Sequence, residues 1–219
     1  MKNIQNVLWT SGWDSTFRVL KLIEKGAVVQ PIYVFHEKRF SRFKELETIK
    51  LLTKEILNRY GSNGGKILEL KIINQKDIKF NAMQKLSYKI LKRRRHLGRQ
   101  YYWLSCLALD MNNLELSVHS KDFSFLKGKT ILVNDEEIGK YAVLDPNVKD
   151  RFLKRIFGKM RFPIYNLTKT DMKDIAEKEG FIDIMHKTWF CHDSDTKPCK
   201  KCTPCKQIVR DGMGYRLDE

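Results

Sequence analysis

The sequence has no apolar run near the roughly 20 residues that a membrane-spanning helix needs. It also has no signal-peptide pattern, because its first residues, MKNIQNVLWTSG, turn polar too soon. No internal repeat and no low-complexity linker divides the 219 residues. We therefore expect a cytoplasmic protein with no membrane partner, built as one large domain or as one domain with an appendage.

Acidic residues are scarce: 26 Asp and Glu stand against 42 Lys and Arg, for a net charge of +16. Most of the excess is scattered lysine, and the concentrated basic cluster is KILKRRRHLGR, residues 89–99. Such a charge suits small anionic substrates as well as nucleic acids. We favour a small anion and keep a nucleic-acid or protein partner as the alternative.

Short apolar runs alternate with amphipathic stretches through the first half of the chain, which predicts an α/β fold with a doubly wound parallel sheet. Beyond about residue 125 the alternation weakens, and one further helix is predicted from Thr168 or Thr170 to Gly180. The predicted strands are 6–9, 28–36, 65–73 and 114–120, and the other predicted helices are 14–26, 40–61, 81–95 and 99–113.

The stretch LWTSGWDSTF, residues 8–17, connects the first predicted strand to the first predicted helix. Its loop consists of small hydroxylated residues and one glycine, so backbone N–H groups and a helix N-terminus point at one spot. This arrangement suits a phosphate group. The alternative is that Ser11 or Asp14 only caps the helix.

Four of the five cysteines lie close together near the end of the chain, with the spacing C-x7-C-x2-C-x2-C. In a reducing compartment this spacing favours a closed tetrahedral zinc site with a structural role. The alternatives are an iron–sulfur cluster or a redox pair. Cys106 lies on an apolar helix face and is predicted to be an inert core thiol. The candidate metal ligands are Cys191, Cys199, Cys202 and Cys205.

The loop TSGWDST resembles the SGGxDS signature of the PP-loop ATP pyrophosphatases, with Ser11 in place of the first glycine. The tail FPIYNLTKTDMKDIAEKEGF…HKTWFCHDSDTKPCKKCTPCKQIVR resembles the end of the 7-cyano-7-deazaguanine synthases within that family. The positions that match are Pro163, Thr168, Lys169, Thr188, Trp189, Cys191, Cys199, Cys202, Cys205 and Arg210, and in the middle of the chain Gly98, Arg99, Val118 and Asp122.

The resemblance implies a Rossmann-like sheet in a PP-loop ATP-binding domain, residues 1–185, with a four-cysteine zinc segment, residues 186–219, packed on it. It implies a ligase that uses ATP and Mg²⁺ to adenylate a carboxylate, 7-carboxy-7-deazaguanine or a related acid. Ammonia then gives an amide, which a second ATP converts to a nitrile, as AMP and pyrophosphate are released. A homodimer is the expected assembly.

The resemblance also assigns roles to residues. Asp14 would hold magnesium, Lys169 would stabilise charge on the α-phosphate, and Arg99 would hold phosphate or the substrate carboxylate. His119 and Asp122 would line the substrate side, although His119 could equally be a buried, satisfied histidine. The phosphates would contact Thr10, Ser11, Gly12, Trp13, Asp14, Ser15 and Thr16 through backbone N–H groups and hydroxyls, and adenine would contact Val34, Phe35 and His36.

Two other functions compete with this one. A tRNA-modifying PP-loop enzyme would use residues 89–99 as its RNA contact, but a sulfur carrier needs a metal-free thiol, and Cys106 is on an apolar helix. A non-catalytic, zinc-stabilised nucleotide-binding module is the second alternative. The family's base-handling stretch is missing after Asp122, so we expect free 7-carboxy-7-deazaguanine to be converted poorly.

Overall fold

The computed structural model describes residues 3–61, 64–121 and 123–218. These residues contain eight β-strands and eight α-helices. The strands are β1 (Ile4–Leu8), β2 (Val28–Phe35), β3 (Lys66–Ile67), β4 (Lys71–Asn74), β5 (Leu114–Glu115), β6 (Thr130–Asp135), β7 (Gly139–Leu144) and β8 (Met160–Phe162). The helices are α1 (Trp13–Glu24), α2 (Arg42–Tyr60), α3 (Ala82–Arg94), α4 (Gln100–Asp110), α5 (Arg151–Phe157), α6 (Lys169–Lys178), α7 (Ile182–His186) and α8 (Thr203–Arg210).

All eight strands belong to one sheet in the order β3-β2-β1-β5-β8-β7-β6, and β4 continues alongside β2 after β3. The strands from β3 and β4 to β8 pair in parallel, whereas β7 pairs antiparallel with both β8 and β6. The predicted α/β fold with a mostly parallel central sheet is confirmed. The parallel strands follow the order third, second, first, fourth and fifth, as in doubly wound nucleotide-binding sheets.

Helices cover both faces of the sheet. Helices α1, α2, α6 and α7 contact one another on one face, and α3, α4 and α5 contact one another on the other. Side chains of a strand alternate between the two faces. In β1, accordingly, Val7 lies in the core beneath α1, and Leu8 lies in the core that includes Leu91 of α3 and Leu153 of α5.

Several predicted strands are shorter or divided. The predicted strand 65–73 is two short strands, β3 and β4, and the predicted strand 114–120 is regular only at Leu114–Glu115. The β6–β7 hairpin and β8 were not predicted. Neither β6 nor β8 has a clear strand pattern in the sequence. Strand β6 is an edge strand that is partly exposed on both faces, and β8 has only three residues.

The predicted helix boundaries agree more closely with the structure. Helix α2 ends just before its C-cap residue Gly61, and α6 begins just after its N-cap residue Thr168, whose side chain accepts from Asp171 N. Gly180 then ends this helical segment with a φ of 75°. None of the described helices is both long enough and apolar enough to cross a bilayer.

Candidate functional site

A cavity of about 460 Å³ opens where β1 and β5 end, next to the N-terminus of α1. The chain leaves β1 towards β2 on one side, while β5 lies on the other side of β1. Doubly wound sheets bind ligands at such a reversal of strand order. The polar residues that line the cavity are Thr10, Asp14, Ser15, Arg39, Glu45, Gln100, Ser117, Lys169, His192 and Gln207.

A larger cavity, of about 620 Å³, lies between α1 and the β6–β7 hairpin. It is lined mainly by apolar side chains such as Phe17, Ile138 and Ile164, and it contains no candidate site residue from the sequence analysis. Of these two cavities, only the smaller one is therefore lined by predicted site residues.

The N-terminus of α1 is open towards that cavity. Its N-cap residue is Gly12, and no described side chain makes a capping hydrogen bond to this helix. The alternative interpretation, that Ser11 or Asp14 serves as the helix cap, is therefore wrong. The first-turn N–H groups of a helix have no intrahelical acceptor and carry a partial positive charge, so this turn can bind an anion.

Ser11 has a left-handed backbone conformation, with a φ of 59°, whereas Gly12 has an ordinary φ of −73°. A Cβ atom at Gly12 would lie 3.6 Å from Thr10 Oγ1, which is an ordinary van der Waals contact. The space at this position would therefore accept a side chain. The position that favours glycine in this loop is thus residue 11, where this sequence has serine. Ser11 is fully buried, and its Oγ has no hydrogen-bond partner among the described residues.

The predicted phosphate-binding hydroxyls separate into two groups. Thr10 and Ser15 line the cavity, and Ser15 Oγ donates to Gly12 O at 3.3 Å. Thr16 is fully buried, and its Oγ1 accepts a hydrogen bond of 2.9 Å from Trp9 Nε1. The prediction that the Thr16 hydroxyl contacts phosphate is wrong, because this side chain faces the core.

Asp14 is the centre of a charged group that joins three elements. Lys169, the first residue of α6, forms an ion pair with Asp14 Oδ1, and His119 Nε2 lies 3.2 Å from Asp14 Oδ2. His119 Nδ1 lies 2.7 Å from the carbonyl oxygen of Leu167, which can only accept, so Nδ1 donates. His119 was predicted as a substrate residue or a satisfied buried histidine. It does not line the cavity, and its Nε2 lies near Asp14 without a hydrogen bond to any described residue, so both descriptions stay predictions.

The charges of this group shift the pKa values of its members. Burial alone would raise the pKa of Asp14, but Lys169 and His119 lower it to about 2. Burial disfavours the charged form of His119, but the Asp14 carboxylate and the Leu167 carbonyl outweigh burial and raise the pKa of the ring. At neutral pH the Asp14 side chain is therefore a carboxylate, paired with the Lys169 ammonium group.

Arg39 provides a second positive charge on the cavity wall. Its Nη2 lies 2.7 Å from Glu45 Oε1, and Glu45 in turn accepts hydrogen bonds from Ser41 and from Tyr33 Oη. Glu45 is buried and Arg39 is partly exposed. The carboxylate thus fixes the guanidinium in position at the cavity.

Other predicted residues lie outside the cavity lining. Arg99 is exposed just before Gln100 and does not line the cavity. Trp13, in contrast, borders the cavity, but it is 3% exposed and packs in the core. Asp122 lies outside the described residues. The residues expected to contact adenine end β2 at the same edge of the sheet, but they do not line this cavity; they are Val34, Phe35 and His36.

The four C-terminal cysteines converge as predicted. Their sulfur atoms all lie within 4.8 Å of one another, with Cys191 and Cys202 3.9 Å apart and Cys202 and Cys205 3.4 Å apart. Tetrahedral zinc with bonds of about 2.3 Å would place its sulfur ligands about 3.8 Å apart. The cluster could therefore hold a metal ion such as zinc.

Backbone N–H groups support this cluster. Cys199 N donates to Cys191 Sγ and Cys202 N donates to Cys199 Sγ, each at 3.3 Å. The N–H groups of Lys201 and Cys202 are the main cause that lowers the pKa of Cys199 to about 6. Cys106, in contrast, is buried in α4 and burial raises its pKa, as expected for a core thiol.

The cysteine segment also forms one wall of the cavity. Trp189 N donates to Ser11 O at 3.0 Å, and Trp189, Phe190 and His192 line the cavity directly. On α8, Ile208 both lines the cavity and belongs to the core beneath α1. The tail is thus built into the candidate site.

Sequence reasoning missed three residues near the site. Arg39 had a signal, since Ser41 and Glu45 stand one helical turn apart at the start of a predicted helix. Ser117 Oγ is buried on the cavity wall without a described partner. Arg216 is 1% exposed, donates to Thr188 O at 2.6 Å and lies over the Trp13 ring. Arg210, the arginine that matched the family pattern, is exposed instead.

Comparison with known proteins identifies no family for this chain. No protein-family model matches it, and no curated protein matches it. The geometry of the cavity, with the open α1 N-terminus and the charged residues around it, therefore carries the functional argument.

Proposed function

We propose that the protein is an ATP-dependent ligase that adenylates a carboxylate and transfers the acyl group to ammonia. One observation carries the proposal: the uncapped N-terminus of α1 borders a cavity that is also lined by Lys169 and Arg39. Together these features form a site for several anionic oxygen atoms at the reversal of strand order. The resemblance of TSGWDST to the PP-loop signature supports ATP as the anion.

The first turn of α1 would hold the pyrophosphate part of ATP. The N–H groups from Gly12 to Ser15 would donate to phosphate oxygens, and the Thr10 and Ser15 hydroxyls lie on the same wall. Lys169 and Arg39 would add positive charge from α6 and from the loop after β2. This corrects the expected role of Arg99, because Arg39 is the arginine on the cavity wall.

Asp14 is the residue that would hold magnesium. Mg²⁺ prefers one or two carboxylates together with substrate phosphates, and Asp14 presents an ionised carboxylate at the cavity. Glu45 is less suited, because its side chain is 2% exposed, whereas that of Asp14 is 26% exposed. Magnesium at Asp14 would displace the contact of one carboxylate oxygen with Lys169 or His119. A bound Mg²⁺ would offset the negative charge of the phosphates.

In the proposed reaction a carboxylate oxygen attacks the α-phosphorus, the bond to the bridging oxygen breaks, and pyrophosphate leaves with the bonding electrons. Ammonia then attacks the acyl carbon, loses a proton, and displaces AMP to give the amide. Lys169 would stabilise the charge that develops on the phosphate oxygens. Dehydration of the amide to a nitrile with a second ATP is the further step implied by the resemblance.

The cysteine cluster would hold one structural zinc ion. Four thiolates complete the coordination of zinc and leave no open position for a substrate. The metal would therefore act by fixing Trp189 and Phe190 on the cavity wall. An iron–sulfur cluster is the alternative that metal analysis would reveal.

The test is pyrophosphate release with ATP, magnesium, ammonia and a panel of carboxylic acids. Asp14→Asn and Lys169→Met should each lower the rate about a hundredfold, which is typical of losing one charge-stabilising group. The controls are Asp174→Asn and Lys178→Met, which make the same two substitutions at exposed positions of α6. If Asp14→Asn releases pyrophosphate at the wild-type rate, the α1 N-terminus is not the site of ATP cleavage.

The acid panel should include 7-carboxy-7-deazaguanine, for which we expect slow conversion. None of the described residues from 123 to 150 lines the cavity, so this stretch does not replace the missing base-handling segment there. Losing two polar partners in a buried site would lower turnover by roughly a hundredfold. Rapid nitrile formation from the free acid would contradict this expectation.

A further inference from the structure

Two long segments of the chain contain no acidic residue, although the whole chain has 26. One runs from Ile78 to Leu109 and the other from Arg151 to Thr170. The first contains α3 and most of α4, and the second contains α5. If the excess of lysine came only from the overall composition, acidic residues would be present in these segments as well. The two segments therefore differ from the rest of the chain.

The fold brings the two segments together, because α3 packs against α5. We call the joint exposed face of these helices the α3–α5 surface. Its exposed basic side chains are Lys85, Lys89, Lys92, Arg93, Arg94, Arg151, Lys154 and Arg155. Residues 60 positions apart in sequence thus form one positive surface, which the linear cluster at 89–99 shows only in part.

Asp150, the acidic residue that precedes α5, already has partners within the protein. Asp150 caps α5 by accepting from the backbone N–H groups of Phe152 and Leu153, and its other oxygen lies 3.8 Å from Arg94 and 3.9 Å from Arg95. Its single charge is shared between the helix end and two guanidinium groups. It therefore leaves the surface strongly positive.

Aromatic rings hold several of the arginines in place. The guanidinium carbons of Arg94 and Arg151 lie 5.4 Å and 4.9 Å from the centre of the Phe152 ring. Arg95 lies 5.1 Å from the centre of the Phe125 ring. Guanidinium groups that are already ordered lose less conformational entropy when they bind phosphates.

We infer that the α3–α5 surface binds the phosphate backbone of RNA. Dense arginine and lysine side chains on one face are the electrostatic footprint of a nucleic-acid contact. The basic segment continues through Arg99 to Gln100 and Tyr101, and these last two line the cavity. An unpaired RNA loop or end can place a nucleotide in a cavity, whereas duplex DNA cannot do so without flipping a base.

The placement of a nucleotide in the cavity rests on the proposed function, but backbone binding does not. Binding is therefore measured without ATP, so its failure is distinct from a failure to release pyrophosphate. The probe is a fluorescein-labelled RNA hairpin with a single-stranded loop, titrated between 50 and 200 mM salt, the range over which phosphate contacts weaken strongly.

The test variant combines Lys89→Glu, Arg93→Glu and Lys154→Glu, and the control combines Lys50→Glu, Lys54→Glu and Lys66→Glu. The control positions are exposed on α2 and β3, and both triples change the net charge by the same amount. The test variant should bind at least tenfold more weakly, with a salt slope reduced by about one per lost phosphate contact. The control should bind within twofold of wild type.

Where the glutamate triple does not fold, as judged by circular dichroism, Lys89→Gln, Arg93→Gln and Lys154→Gln replace it. Equal loss in both triples would show that only net charge matters and would overturn the inference, as would absence of binding to the hairpin. Equal affinity for duplex DNA would overturn the assignment to RNA. Tighter binding to vesicles of phosphatidylglycerol and phosphatidylcholine, lost in the test variant, would assign the surface to a membrane instead.

Discussion

The backbone N–H of Trp189 donates a hydrogen bond of 3.0 Å to the carbonyl oxygen of Ser11. Trp189 is two residues before the first clustered cysteine, and its indole Nε1 donates to the carbonyl of Cys191 at 2.8 Å. Ser11 lies just before the open N-terminus of α1. The cysteine cluster and the loop before α1 are therefore joined through two hydrogen bonds of one tryptophan.

This link predicts that loss of the metal lowers both stability and ATP affinity. Structural zinc supplies on the order of 10 kcal/mol in small peptides, and even a loss of about 3 kcal/mol would lower Tm by roughly 10 °C in a chain of this size. Cys199→Ser should remove the metal and weaken ATP binding, as measured by elemental analysis, thermal unfolding and nucleotide titration. Cys106→Ala should keep one zinc per chain, and an absence of zinc in the wild type would refute the prediction.

The left-handed conformation of Ser11 predicts an ordered pair of variants. Ser11→Ala and Ser11→Gly both remove the buried hydroxyl that has no described partner, but only glycine relieves the backbone strain. Ser11→Gly should therefore be about 1 kcal/mol more stable than Ser11→Ala in urea unfolding and should still bind ATP. Equal stability of the two variants would show that the φ of 59° costs little.

The fold was predictable where sequence periodicity is strong. The apolar run of β2 and the long amphipathic pattern of α2 lie where they were predicted, since each has a clear period and a clear end. The β6–β7 hairpin was missed because an edge strand needs no buried face, so exposed Ile131 and Leu132 disguise its alternation. Its place in the sheet depends on pairing with β8, a contact that no local pattern encodes.

Only some of the residues at the candidate site were predictable from the sequence, and their arrangement was not. Asp14 and Lys169 were both named as site residues, yet they are 155 positions apart, and their ion pair exists only in the fold. Burial reversed the expectation for Thr16, because this residue shares the face of α1 that carries the buried Leu20 and Ile23. Arg39 was missed because its position on the cavity wall depends on Glu45, which holds its guanidinium from the next helix.

The contacts of His119 predict an elevated pKa for its ring. Both ring nitrogens face oxygen atoms, one of Asp14 and one of Leu167, so the ring should titrate above its ordinary value of 6.5. Because the folded pKa is raised, this contribution to stability is fully present below pH 6.5 and is lost as the pH rises through the folded pKa. NMR titration without magnesium should show the shift, and Asp14→Asn should reduce it. A His119 midpoint at or below the ordinary value of 6.5 would contradict the prediction.

The buried ion pair between Arg18 and Glu115 predicts a large loss of stability when one partner is removed. Arg18 on α1 donates to both oxygens of Glu115 on β5 at 2.6 Å, and both side chains are almost fully buried. Glu115→Ala leaves a buried guanidinium charge without its partner and should lower the free energy of unfolding by about 3–5 kcal/mol. Replacing both residues, Arg18→Met with Glu115→Leu, should cost less than Glu115→Ala alone. The matched control is Glu37→Ala, which breaks an exposed pair of 2.7 Å with Lys76 and should leave the stability nearly unchanged, because water screens this pair. Urea unfolding of the four proteins measures the differences, and a small effect of Glu115→Ala would mean that water reaches Arg18.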